Sequence, residues 1–138
     1  MNYEEKLFET LVVIRSQISW AHHVILTRMD INDIKQAQER TRDYVKRTPL
    51  EYSETLSKRL CTNVYIKYEL FQKTGAFKAR GAFNKLLSMS EQTRGNGVVA
   101  VSGGNHAQAV AYASNVLGVD AVLLLPENTP TFFVYSTL

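Results

Sequence analysis

Val98-Val99-Ala100-Val101-Ser102-Gly103-Gly104-Asn105-His106 is the stretch that decides the fold. An unbroken apolar run reads as a short strand buried on both faces, and the paired glycines then turn the chain into a helical pattern lasting to about Leu117. Gly118 ends that helix, and residues 121–125 form the next apolar strand, closed by Pro126. Upstream, residues 64–70 alternate as a strand rich in β-branched and aromatic side chains, with a helix expected from about 75 to 89. The order strand, helix, strand, helix, strand predicts an α/β fold, a parallel sheet with right-handed crossovers and flanking helices.

Toward the N-terminus, Leu7, Leu11, Ile14, Ile18, Ile25 and Met29 recur at helical spacing and predict an amphipathic helix with one buried stripe. Such a helix packs on its own domain or on a second subunit, which leaves a homo-oligomer open; Glu4, Glu5 and Glu9 on its polar face argue against a membrane surface. Asp30 or Asn32 can cap a second helix over about 33–46, ending ahead of Pro49. The expected division is an N-terminal helical extension, 1–32, and an α/β domain, 33–138.

The chain has 138 residues, 45% hydrophobic and 21% charged, enough for one core. Its 16 basic and 13 acidic residues give a net charge of +3 without any cationic block, so nucleic acid is a poor partner. Cys61 is the only cysteine, which excludes a disulfide framework or thiolate metal set and points to a reducing, cytoplasmic setting. The first residues lack the basic region, apolar run and cleavage site of a secretory signal, so none is expected, and no apolar stretch approaches the ~20 residues that span a bilayer. His22 and His23 lack metal-ligand spacing, and no metal is expected.

In an open parallel sheet, ligands gather at the carboxyl ends of the strands. Ser102-Gly103-Gly104-Asn105-His106 leaves bare N–H groups at the positive end of a helix dipole, a place for an anion. The spacing is neither GxGxxG nor GxxxxGK[ST], and no acidic residue is suitably placed for a ribose. Thr74-Gly75-Ala76-Phe77-Lys78-Ala79-Arg80-Gly81-Ala82 puts a lysine in the first turn of a helix, where the dipole disfavours a cation. Such a lysine is either a solvated cation or, if partly buried, an amine able to condense with an aldehyde.

The run from Lys67 to Ala82 resembles the Schiff-base lysine motif of the pyridoxal-phosphate-dependent threonine dehydratase and serine racemase family, of fold type II. Ser102-Gly103-Gly104-Asn105-His106-Ala107-Gln108-Ala109 resembles its Ser-x-Gly-Asn-His-x-Gln loop. Thr48-Pro49-Leu50, Pro126-Glu127 and Thr129-Pro130 fall where that family has similar residues, so the likeness runs from about residue 33 to the end. It implies a lyase: an ammonia-lyase converting threonine or serine to a 2-oxo acid and ammonia, with pyridoxal 5'-phosphate as cofactor. Lys78 would form the Schiff base and move the α-proton, Phe77 would pack beside the pyridine ring, and Asn105 would bond its phenolic oxygen. The backbone of Ser102, Gly103, Gly104, Asn105 and His106 would hold the substrate carboxylate. Ala76 replaces the serine usual before Phe-Lys, and Gly103 replaces the serine with which racemases protonate the opposite face, so elimination is expected over racemisation. The family's downstream glycine-rich phosphate loop has no counterpart in these residues, so a truncated chain, weakly active alone, is expected; the alternative is a catalytically silent assembly module. Arg80, Gln108 and Tyr112 are expected to be structural, and His106 to order its loop through a backbone hydrogen bond.

Overall fold

The computed structural model describes residues 29–137, and the compact unit runs from Ile31 to Leu138. The amphipathic pattern between Leu7 and Ile25 lies outside the described residues.

Helix α1 (Ile31–Thr41) is shorter than its pattern and ends at Thr41, whose buried hydroxyl donates to Ala37 O at 2.8 Å. Strand β1 (Leu50–Tyr52) pairs antiparallel with β2 (Tyr65–Lys67), Tyr52 opposite Tyr65, their rings meeting edge to face at 5.5 Å. Helix α2 (Glu54–Leu60) lies between them, opened by the Ser53 side chain, which accepts from Leu56 N–H. Two 3-10 turns, Glu69–Phe71 and Lys73–Gly75, lead into α3 (Lys78–Ser88); α4 (Glu91–Gly95) follows. Strand β3 (Val98–Val101), α5 (Asn105–Leu117) and β4 (Ala121–Leu124) form one parallel crossover, in register Val98↔Ala121 to Val101↔Leu124, and α6 (Thr131–Tyr135) comes last.

The parallel pair with flanking helices therefore forms as its pattern predicts, with Gly118 left-handed at φ 63° beyond α5. The first strand behaves differently: β2 turns away into a hairpin with β1 and does not join β3 and β4. Its alternation specifies a strand but not its neighbour, and the antiparallel partner lies just upstream in the chain.

The core is the contact between α3 and α5: Ala82, Phe83 and Leu86 against Ala109, Val110 and Ala113, with Phe83, Ala109 and Ala113 fully buried. Tyr44 stacks on Phe83 at 5.2 Å and Tyr112 meets it edge-on at 5.9 Å, so one phenyl ring joins three segments. Val98, Ala100 and Leu123 pack against this core. The opposite face of the sheet is left uncovered by the other described residues, with Val99 70%, Val101 71%, Val122 57% and Leu124 53% exposed. The expectation of a strand buried on both faces thus holds for one face only, because α3 and α5 lie on the same side.

Cys61, beyond α2, is held left-handed at φ 51°. A side chain with Cβ is strained there, and Cys61→Gly is expected to raise stability by about 1 kcal/mol, read as a higher urea midpoint with unchanged slope.

Candidate active site

The two turns singled out by the sequence both open a helix with no side-chain cap. Phe77 precedes α3 and Gly104 precedes α5 without a capping hydrogen bond, whereas α2 and α4 begin on serine caps; short α6, behind Pro130, is also uncapped. The first N–H groups of α3 and α5 are therefore left for solvent or a ligand. Gly104 has open space where a side chain would project, and Ser102 Oγ accepts the Gly104 N–H at 3.3 Å, holding the loop extended ahead of the helix.

Lys78 is the first residue of α3 and is exposed, its Nζ 5.1 Å from the centroid of the Phe77 ring, itself 58% exposed. The amine is reachable from solvent, so the partial burial considered from the sequence does not apply. A cavity of about 370 Å³ lies between α3, β3 and α5, lined on α3 by Gly81, Ala82 and Lys85 and on α5 by His106 and Val110. Positions 78, 81, 82 and 85 share one helix face, so Lys78 stands one turn upstream on the face lining this groove. The groove brings that face together with His106. Asn105 is exposed at the first position of α5, and Ser102, Gly103 and Gly104 are half-buried ahead of it. The His106 ring makes no hydrogen bond among the described residues, so it does not order the loop in the expected way.

The turn before Lys78 is strained and braced. Thr74 and Gly75 both have positive φ, 59° and 67°, and for a β-branched threonine that is a costly conformation. Gln72, 3% exposed, clamps the preceding segment: its Nε2 donates to Lys46 O at 2.8 Å, and its Oε1 accepts from Lys46 N and Lys73 N. Arg80, two residues after Lys78, donates from Nε and Nη2 to the two oxygens of Glu69, at 2.8 and 2.7 Å, and from Nη2 to Lys46 O at 3.0 Å. Thr48 also donates to Glu69, while Lys67 Nζ donates to Thr48 O at 2.7 Å. The hydrogen bonds from Arg80 hold the Glu69 carboxyl down at about 2 against an ordinary 4.5, with Thr48 and the Arg80 and Lys67 charges assisting and burial opposing. Arg80 therefore carries its anion with it into a helix start that disfavours cations.

Arg80 and Tyr112 have the structural roles expected of them, and Gln108 is buried in α5. Sequence reasoning missed Glu69 and Gln72. Each sits inside the quoted lysine motif, but their partners at Lys46, Thr48 and Arg80 are brought up only by the fold.

The profile of the pyridoxal-phosphate dependent enzymes matches residues 41–136, most of the chain. The chain belongs to this family. Among its curated relatives it is 47% identical over 107 residues to an L-threonine ammonia-lyase of Thermotoga maritima, covering 78% of this chain and 27% of that one. It is 43% identical over 105 residues to the L-threo-3-hydroxyaspartate ammonia-lyase of Saccharomyces cerevisiae, covering 76% and 32%. Among solved structures, maize serine racemase superposes with a TM-score of 0.71 at 40% identity, over 78% of this chain and 33% of that one. The chain thus spans about a quarter to a third of the length of the relatives it matches. Membership makes pyridoxal phosphate the cofactor to test against these residues. An accessible lysine amine beside an aromatic ring, an uncapped helix start and open space at Gly104 all suit an aldehyde that carries anionic groups.

Glu69→Gln is expected to cost about 1 kcal/mol near neutral pH, a modest value because Arg80 is 37% exposed. Since the folded carboxyl titrates near 2 and the free one near 4.5, its contribution is complete above about 4.5 and is lost as pH falls through about 2. Acid unfolding followed by circular dichroism should show the two proteins converging across that window.

Proposed function

We propose that this chain is the lysine-bearing part of a pyridoxal-phosphate-dependent ammonia-lyase acting on threonine, serine or a close hydroxy-amino acid. The observation that carries the reading is that Lys78 and Asn105 each begin a helix without a side-chain cap, and that these two helices pack directly on each other through Phe83, Ala109 and Ala113. Bound there, pyridoxal phosphate supplies the electron sink that weakens the bond from the α-carbon to its hydrogen. Lys78 would hold the cofactor through its amine and, once displaced by the amino group of the substrate, would take the α-proton. Phe77 flanks the ring, and the Asn105 amide donates to the oxygen beside the aldehyde. The N–H groups of Ser102 to His106 hold the substrate carboxylate, fixing the α-carbon against Lys78. Loss of the β-hydroxyl and hydrolysis of the resulting enamine give a 2-oxo acid and ammonia, the water released equalling the water consumed. The free, exposed Cys61 agrees with a reducing, cytoplasmic setting. No helix among the described residues is long and apolar enough to cross a membrane.

Borohydride reduction of the chain mixed with pyridoxal phosphate, followed by peptide mass spectrometry, tests the assignment. A pyridoxyl adduct concentrated on Lys78 and lost in Lys78→Ala is expected; labelling spread evenly over the lysines would refute it.

The face of Val99, Val101, Val122 and Leu124, uncovered among the described residues, favours a second reading, an assembly module that buries this surface against another copy. Light scattering after gel filtration should then give twice the monomer mass or more, with Val99→Lys restoring the monomer.

A further inference from the structure

The proposed carboxylate loop is backed by the turn after β4. Thr129 N–H donates to Pro126 O at 2.9 Å, closing residues 126–129 into a tight turn, while Ser102 N–H continues the sheet ladder to Leu124 O at 3.0 Å. The ladder and the turn meet at Gly103. A Cβ there would lie 2.8 Å from Thr129 Oγ1, 3.2 Å from Pro126 Cδ and 3.6 Å from Pro126 Cγ. The proline ring is rigid and the threonine is stiff about its first side-chain bond, so neither yields readily. The neighbouring Gly104 meets nothing within 4 Å, so the crowding belongs to position 103 alone. The Thr129 hydroxyl is buried there without a hydrogen-bond partner among the described residues, a polar atom held in place by packing.

We propose that Thr129, with Pro126 behind it, is a specificity-determining residue of the carboxylate loop: it occupies the volume of a side chain at position 103 and thereby denies the site a hydroxyl there. The inference rests on the lyase reading above and deepens it. Inverting an α-carbon requires a proton delivered to the face opposite the one that lost it, and so a second acid besides Lys78. A serine at 103 would bring such a group into the loop, and Thr129 excludes it. Relatives of both kinds exist, ammonia-lyases and serine racemases. Gly103 and Thr129 thus act as a matched small and large pair that assigns this chain to elimination.

The test is a double-mutant cycle on the full chain with Gly103→Ser, Thr129→Ala and the two combined, read first by thermal melting. Gly103→Ser alone should lower Tm by roughly 5–15 °C, and adding Thr129→Ala should recover most of the loss. Additive shifts, or a Gly103→Ser protein that melts with the wild type, would overturn the pairing. This arm needs no cofactor, so it decides the pairing even if no adduct forms at Lys78, the result that removes the lyase reading instead. Where the Lys78 adduct forms, each protein is incubated with pyridoxal phosphate and L-serine, and the recovered serine is resolved by chiral chromatography. D-serine should appear with the double variant and be absent from the wild type; D-serine from the wild type, or none from an adduct-competent double variant, would overturn the specificity claim.

Discussion

Packing of α3 on α5 is the contact on which the rest of the structure depends. Ala109 and Ala113 are small enough to let the two helices approach, and Phe83 fills the space between them while Tyr44 and Tyr112 close on its ring. Both candidate segments are helix starts, so the contact that holds the helices together also sets the distance between the two starts. An enlarged alanine or a lost phenyl ring would move Lys78 relative to Asn105 without touching either. Burial of a few apolar side chains is thus converted into the geometry of a site.

Electrostatics refines what packing places. Lysine and arginine in the first turn of α3 oppose the helix dipole, and the strained Thr74-Gly75 turn adds its own cost. Glu69 compensates by accepting a two-pronged hydrogen bond from Arg80, and Thr48 and Lys67 complete a network spanning β2, the first 3-10 turn and α3. One consequence is local order at the lysine. Another is that Lys78 is left as the cation of that turn without a carboxylate partner among the described residues, exposed and beside the Phe77 ring. Among the described residues no ion pair stands between this side chain and an incoming carbonyl compound.

Gly103 shows the same economy ahead of α5. The glycine that turns β3 into α5 is crowded by Thr129 and Pro126, while Gly104 beside it opens to space. One glycine is fitted to its neighbours in the fold, and the other stands open at the start of a helix. The two look alike in the sequence, and only their neighbours separate them.

Much of the fold was legible in the residues themselves. The apolar run at 98–101, the paired glycines and Gly118 specify a strand, a turn and a bounded helix because their side chains allow little else locally, and the two motifs carried the family and the lysine with them. Partners distant in the chain were not legible. Pairing of β2 with β1, the carboxylate that Arg80 meets, the His106 ring without a partner among the described residues and the threonine behind Gly103 all depend on which surfaces the packed helices bring within a few ångströms. Local sequence sets conformational preference and chemical type, whereas contacts between residues far apart in the chain are fixed only when the core closes, and that closure decided the surroundings of every candidate residue here.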